Sequence, residues 1–574
     1  MDDQLFSLFF QRYRRDVRVV VVASVIVNLL VFTGSVYMLL VYDSVLPSRS
    51  EPTLFGLFAM LAVLYLIQAG VEAIRAEALL TVANGVHQDL VGPVHHAAVA
   101  KTLASQRELE GLQLSRDLDQ VHTYLAGPGP VAVIDLPWVV LFLIVLAALH
   151  WSLGLTALIG TLILAGLAWV TSRRTTEGTR DITEVTGRRA TASQSELRFA
   201  EAARAMGMHE RLLARGRVLD QRFLAAQSSL ARTVARLGGA GRLFRLFLQS
   251  TMLTVGALLV IDGNASGGVI LAASILAGRA LAPVDQAIAS SRHLALARAG
   301  WKRIAAALAA HGRPPPRSVA LAQAAGEIAV REAWVVPPGS QRAVLSGVSF
   351  ALQPGQALAV VGPSAAGKSS LAKALLGIWP LARGEIRIGG ATFDQWDREA
   401  LGANLGYVPQ QIELLEGTVG ENIARFETSP PSARVIAAAT AAGMHETILA
   451  LPNGYDTAVS PGGGELSAGQ RQRIALARAL YGEPYLVVLD EPNSNLDAAG
   501  DAALAEAILG VRRRGGIVVM VTHRPATLGP VSHVAVLAAG KLTDFGERDA
   551  VLQRNAAARP RRGQRLAETE AVER

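Results

Sequence analysis

Long stretches without a formal charge dominate the first half of the chain. Val19 to Leu40 carries none, and such a run is long enough to cross a bilayer as a helix. Further apolar runs cover Leu54 to Val71, Val131 to Leu149, Leu153 to Val170, Phe247 to Ile261 and Gly268 to Leu281. The third is interrupted by Asp135 and Pro137. The last two are weaker, and the sixth contains Arg279, which sets its inner end nearby. A secretory signal has a shorter apolar core and a small-residue cleavage site. Here Val41-Tyr42-Asp43-Ser44-Val45-Leu46-Pro47 follows the first run, so that run reads as an uncleaved span. Six spanning helices are expected.

Two stretches between them, Glu72 to Ala126 and Ser172 to Arg242, are too polar for lipid and too long for structureless loops. The spanning helices are expected to continue through them beyond the bilayer. Gly127-Pro128-Gly129-Pro130 marks the break where the chain re-enters. Asp135 is the one acid of span three. It reads as a functional group within the membrane or as a helix-end carboxylate.

From Glu327 onward the pattern changes to short β-rich runs alternating with helices. Ile328–Val330 and Val344–Leu352 read as strands. Ala357–Val361, Leu486–Leu489 and Ile517–Val521 are continuous apolar runs, as expected of strands buried on both faces. The alternation predicts an α/β domain. His311-Gly312-Arg313-Pro314-Pro315-Pro316-Arg317 reads as a stiff spacer between the halves. The expected organisation is an N-terminal segment 1–16, a six-helix membrane domain 17–310 and a linker 311–326. An α/β domain 327–555 and a basic, disordered tail 556–574 follow.

Composition supports the membrane reading. The chain is 51% hydrophobic and only 18% charged, against ~25% charged in ordinary soluble proteins. Its formal charge of +8 has a place to go. Arg12, Arg14, Arg15 and Arg18 precede span one, Arg173 and Arg174 follow span four, and Arg242 and Arg245 precede span five. The opposite connections, Asp43–Thr53, His150–Ser152 and Asp262–Gly267, hold only Arg49. This is the positive-inside pattern, and it predicts both termini on the cytoplasmic side. The absence of cysteine excludes disulfides and thiolate metal sites.

The chemistry begins at Gly362-Pro363-Ser364-Ala365-Ala366-Gly367-Lys368-Ser369, which fits G-x-x-x-x-G-K-[ST] between a predicted strand and a helix starting at Ser370. Backbone N–H groups and the positive helix end converge there on a polyphosphate. Lys368 would reach the β/γ-phosphates and Ser369 would bind Mg²⁺. Asp490, at the end of a buried strand, can hold Mg²⁺ directly or through water, and Glu491 is placed to polarise a water as general base. Gln410, in Tyr407-Val408-Pro409-Gln410, can reach metal and water. His523, after the Ile517–Val521 strand, can touch the γ-phosphate. A second Gly-rich turn, Gly462-Gly463-Gly464-Glu465-Leu466-Ser467-Ala468-Gly469-Gln470, precedes a helix from Arg471 to Tyr481. It has no Lys, yet it offers Ser467, N–H groups and a helix end to a γ-phosphate. Two chains facing head to tail would give each cradle its partner.

Lys368, Gln410, Leu466–Gln470, Asp490-Glu491, Ser494-Asn495-Leu496-Asp497 and His523 resemble the motifs of ABC-transporter ATPases in chain order. The chain as a whole is similar to a type I ABC exporter half, six spans followed by a P-loop nucleotide-binding domain. Val41–Ser50, Leu125–Gly129, Asp135-Leu136-Pro137-Trp138 and Gly278–Pro283 further resemble the type I secretion exporters of proteases, lipases and haemolysins. That resemblance implies a homodimer in the inner membrane of Gram-negative bacteria, using ATP and Mg²⁺. It implies a periplasmic adaptor protein, an outer-membrane channel and polypeptide substrates with a C-terminal signal. It places Gly362, Pro363, Ser364, Ala365, Ala366, Gly367, Lys368, Ser369, Ser370, Leu466, Ser467, Ala468, Gly469, Gln470 and Asp497 on the nucleotide. Ser369, Gln410 and Asp490 fall on the metal.

Some members carry a peptidase-like domain before span one. Only Met1–Arg18 stands there, so none is expected. Coupling segments are expected near Ser105–Gln113 and Met206–Leu213. The signature carries Ala468 where Gly is commonest, and Val336 falls near the position of an adenine-stacking Tyr, with Trp334 two residues away. An exporter of lipids, drugs or small peptides would share every ATPase motif. The tail Arg559–Arg565 would fit nucleic acid or a lipid surface. A soluble ATPase acting on DNA or ribosomes is set aside by the six apolar runs, and no nucleic-acid partner is expected.

Overall fold

The computed structural model describes residues 12–105, 108–311, 325–461 and 463–557. The expected N-terminal segment up to residue 11, most of the linker, Gly462 and the basic tail from residue 558 lie outside them. Two compact units are present, Met1–Arg313 and Pro314–Arg574.

The first unit is helical. Its long elements are α1 (Arg14–Ser48), α2 (Glu51–Ser105), α3 (Glu108–Leu125), α4 (Pro128–Asp135), α5 (Trp138–Leu149), α6 (Trp151–Arg198), α7 (His209–Ile261) and α8 (Gly267–His311). Among the described residues, five helices are long and apolar enough to cross a membrane, and the pair α4/α5 makes a sixth if counted as one span. That pair bends by 45°. The cause is Pro137, which donates no N–H to the helix ladder. The long polar stretches are helical, as expected: α2, α6 and α7 run far beyond their apolar segments without a break.

Large apolar side chains that stay exposed, among them Phe55, Leu66, Val140, Ile144, Leu162 and Phe247, lie on the apolar segments. This is what a lipid-facing surface requires. Inside, Phe142, Leu146, Leu153, Met252, Leu276 and Ala277 pack the spans together. A second cluster, Leu90, Val94, Leu114, Leu118 and Ile304, ties α2, α3 and α8. Beside it the Asp117 carboxylate, only 1% exposed, accepts two hydrogen bonds of 2.7 Å from Arg303. At the far end of α1 one π turn, Val41–Val45, presents Asp43 to the start of α8. Asp43 accepts from Gly268 N–H (2.9 Å) and Ser266 Oγ (2.5 Å), satisfying donors that a helix start leaves free. A Cβ at Gly268 would come within 2.7 Å of that carboxylate.

The second unit holds two main sheets. The antiparallel one runs β2 (Leu345–Leu352), β1 (Ile328–Val335), β4 (Leu381–Ile388), β5 (Ala391–Thr392). The larger one runs β12 (Lys541–Glu547), β11 (His533–Ala538), β3 (Ala357–Val361), β10 (Ile517–Val521), β9 (Leu486–Asp490), β6 (Leu405–Val408). A short pair, β7 (Gly417–Thr418) and β8 (Ala458–Val459), stands apart. All pairings from β11 to β6 are parallel, and β12 closes the edge antiparallel. Every residue of β9 and β10 is buried, which explains their unbroken apolar runs. The carboxyl ends of β3, β6, β9 and β10 therefore share one edge, where α/β sheets bind their ligands.

Candidate nucleotide site

The loop after β3 is shaped by backbone. At Gly362, with φ +152°, a Cβ would sit 2.1 Å from the Leu537 carbonyl. Gly367, at φ +96°, caps helix α9 (Lys368–Leu375). The helix thus starts two residues before the expected Ser370, and Lys368 and Ser369 occupy its first turn. The Lys368 ammonium donates to the carbonyls of Gly362 (3.0 Å) and Pro363 (2.8 Å). Burial lowers its pKa, while Glu491 and Asp490 pull it back up.

Ser369 Oγ donates to Asp490 Oδ1 at 3.1 Å. Asp490 is 1% exposed, and burial pushes its carboxyl above the usual range, with the Ser369 hydrogen bond opposing. Glu491 follows in the left-handed region at φ +52°, where a non-glycine residue is strained. Its carboxylate is held from both sides: Gln410 Nε2 lies 3.2 Å from Oε2, and His523 Nε2 lies 3.2 Å from Oε1. Tyr407, on β6 ahead of Gln410, has its phenol pushed up to about 12 by burial first and the Asp490 charge second.

The structure therefore gathers the phosphate loop, Gln410, Asp490, Glu491 and His523 at one sheet edge. The Leu466–Gln470 turn is not part of that hydrogen-bond network. Among the described residues no hydrogen bond or ion pair joins it to the phosphate loop. Ser467 and Ala468 are exposed at the start of α10 (Ala468–Leu480). The helix begins three residues before the expected Arg471, because Ser467 and Gln470 form a reciprocal capping box. Asp497 caps α11 (Ala498–Arg513), accepting from Gly500 N–H at 2.7 Å.

One residue escaped the sequence reading. Buried Gln472 on α10 donates to the Pro492 carbonyl and accepts from Asn495 N–H at 3.0 Å. It ties the signature helix to the turn that follows Glu491. The only signal was a polar residue on the inner face of an amphipathic helix. Trp334 is half-buried, and its Nε1 lies near Gly347, shut from solvent and without a hydrogen-bond partner.

The donor set suits Mg²⁺. A hydroxyl and a buried carboxylate with raised pKa are hard oxygens short of a positive charge. Among the described residues no group of three or more His, Cys, Asp or Glu side chains that could hold a metal by themselves is present.

Two family models match the chain: the ABC transporter transmembrane region at residues 17–281 and the ABC transporter at residues 345–494. The type I secretion system ATP-binding protein PrsD of Rhizobium meliloti (strain 1021) is 46% identical over 531 residues, covering 92% of this chain and 91% of the relative. The chain belongs to the ABC transporters of type I secretion systems. The leukotoxin translocation ATP-binding protein LktB of Mannheimia haemolytica is 25% identical over 559 residues, 94% of this chain and 77% of that one. A bacterial Atm1-family ABC exporter solved with ATP bound shares the fold, with TM-score 0.79, 20% identity and coverage of 94% and 96%. This transporter is thus a multi-pass membrane protein whose ATPase domain couples ATP hydrolysis to export. Gln410, the Leu466–Gln470 turn and Asp490-Glu491 fall inside the matched ATPase region. Asp497 and His523 lie beyond it.

Proposed function

We propose that this transporter exports polypeptides across the inner membrane as a homodimer, with both termini in the cytoplasm. Two chains would sandwich two ATP molecules, each between the Gly362–Ser370 loop of one protomer and the Leu466–Gln470 turn of its partner. The exposed Ser467, unconnected to the loop of its own chain, supports that arrangement. Lys368 and the loop N–H groups bind the β/γ-phosphates. Ser369, Asp490 and Gln410 would hold Mg²⁺, which supplies neutralising charge at those phosphates. Glu491 orients the attacking water, and His523 leaves it for the γ-phosphate. Contacts that the γ-phosphate makes only in the closed dimer drive closure, and hydrolysis reopens it. A turn within the second expected coupling segment, Met206–Leu213, supports its role as a transmitting end. The chain reverses between α6 and α7 at Gly207, φ +62°, whereas residues 106–107 of the other expected segment lie outside the described residues.

A periplasmic adaptor, an outer-membrane channel and substrates with a C-terminal signal complete the reading. The observation that carries it is the 46% identity to a type I secretion protein along 92% of the chain, membrane half included. An exporter of lipids, drugs or small peptides would share the ATPase site but not that full-length likeness. The test is ATPase activity of the full chain in lipid, with unfolded polypeptides ending in candidate C-terminal segments. Stimulation by such polypeptides, and not by lipids or small amphiphiles, is expected. Stimulation by the small molecules alone would overturn the assignment.

A further inference from the structure

Within the helical unit, α1, α2, α4 and α8 line an open cavity of about 460 Å³. Most of its wall is apolar, but polar groups line it too, among them Asn28, Glu72, Arg75, Asp135, Arg279 and Gln286. Charged groups on membrane spans are costly and mark function by default. Most of these are already satisfied. Arg75 lies 3.1 Å from Asp135 Oδ2, Asn28 Nδ2 donates to Asp135 Oδ1 at 2.8 Å, and Gln68 donates to Glu72 at 3.0 Å. Asp135 is thus both the last residue of α4 and half of an ion pair. Arg279 differs. It is exposed to the cavity side, close to the inner end of the sixth apolar run, and among the described residues it has no ion pair and no hydrogen bond.

We propose that this cavity receives a carboxylate side chain of the exported polypeptide, with Arg279 as its receptor. This rests on the polypeptide-export reading above. A guanidinium recognises a carboxylate through a planar, two-point fork. The charges of Arg75, Arg279, Glu72 and Asp135 sum to zero, so the wall has no field that would gather a polyanion. The volume admits one or two side chains with their backbone, not a folded domain. The Arg75–Asp135 pair occupies Arg75, leaving Arg279 as the cation of this wall with no protein partner among the described residues.

The test uses the full-length protein in phosphatidylcholine nanodiscs and three fluorescent, amidated Gly/Ser peptides carrying Asp, Asn or Lys at the same positions. The Asp peptide is expected to bind about tenfold tighter than the Asn peptide. Arg279→Gln should erase that difference and Arg279→Lys should keep most of it. Arg279→Glu should turn the preference to the Lys peptide, a gain that a misfolded variant could not give. An Asp preference that survives Arg279→Gln overturns the site. So does loss of the preference in parent protein on adding phosphatidylglycerol, which reassigns Arg279 to a lipid phosphate. ATPase stimulation by unfolded polypeptide separates the two levels. If Arg279→Gln leaves stimulation unchanged, only the cavity assignment fails. If the parent binds no peptide and shows no stimulation, polypeptide export fails with it.

Discussion

His523 Nε2 sits 3.2 Å from one carboxylate oxygen of Glu491, and Gln410 Nε2 sits 3.2 Å from the other. Three strand ends thus meet on one carboxylate: β6 through Gln410, β9 through Glu491 and β10 through His523. Gln410 donates a hydrogen bond to the group proposed as the base, and the His523 ring nitrogen lies against its other oxygen. Each is also proposed to leave it, His523 for the γ-phosphate and Gln410 for metal and water. The base is therefore restrained until nucleotide supplies other acceptors, which ties its release to ATP binding.

Glu491→Gln is expected to keep ATP binding, since the amide retains the shape and can still meet His523 and Gln410. Hydrolysis should fall by about 10²-fold or more, the usual worth of a general base. Nucleotide should stay trapped in a closed dimer, seen as retained labelled ATP after gel filtration in detergent. Turnover at the parental rate would remove Glu491 from its assigned role.

Asp490 gives a pH-dependent expectation. Burial raises its pKa, so the native state binds a proton more readily than the unfolded chain. The stability this contributes is complete below the ordinary carboxyl range and is lost as pH rises through the elevated value. Without nucleotide, the domain should therefore be penalised at neutral pH. Asp490→Asn should raise the melting temperature of the nucleotide-free protein at pH 7 by about 2–4 °C per kcal/mol recovered. The gain should vanish at pH 4. The same variant should lose the extra stabilisation that Mg²⁺ adds to ATP, which thermal unfolding with and without EDTA would measure.

Much of this site was legible in the sequence because chemistry at a phosphate loop is written in fixed spacings. The strand Ala357–Val361 and the residues Lys368, Ser369, Asp490 and Glu491 could be placed from apolar runs and their flanking polar groups. The helix starts were harder. Lys368 and Ala468 begin their helices early because of a left-handed glycine and a Ser–Gln capping box, signals local to two or three residues. The partnerships of Arg75 with Asp135 and of Asp43 with Gly268 join residues far apart in the chain. No periodicity encodes them, since each depends on how helices from different spans pack.

Gln472 illustrates the same limit and gives a third expectation. It is buried and satisfies both the Pro492 carbonyl and the Asn495 N–H. Gln472→Leu would leave those two backbone groups unpaired, costing about 1–3 kcal/mol each at most. The turn after Glu491 should loosen relative to the signature helix. ATPase rate should fall several-fold while ATP binding by the phosphate loop persists. Gln472→Glu keeps the acceptor for Asn495 but loses the donor to Pro492, and should fall between parent and Leu. Equal activity of all three proteins would show that this bridge carries no coupling.

The base end of the nucleotide yields the last expectation. Val336 has no π face to lay against adenine, and Trp334 is half-buried, with its Nε1 shut from solvent near Gly347. Stacking of a base on an aromatic ring contributes about 1–3 kcal/mol, and Val336 cannot supply it. Binding energy should then reside almost wholly in the phosphates, which ATP and GTP share. Their kcat/KM values should agree within about tenfold, a difference of 1.4 kcal/mol. Val336→Tyr should lower KM for both nucleotides several-fold with kcat little changed, because a ring stacks on any base and touches no reacting atom. A strong ATP preference in the parent protein would mean that another group reads the base. An unchanged KM in Val336→Tyr would mean that the base lies elsewhere.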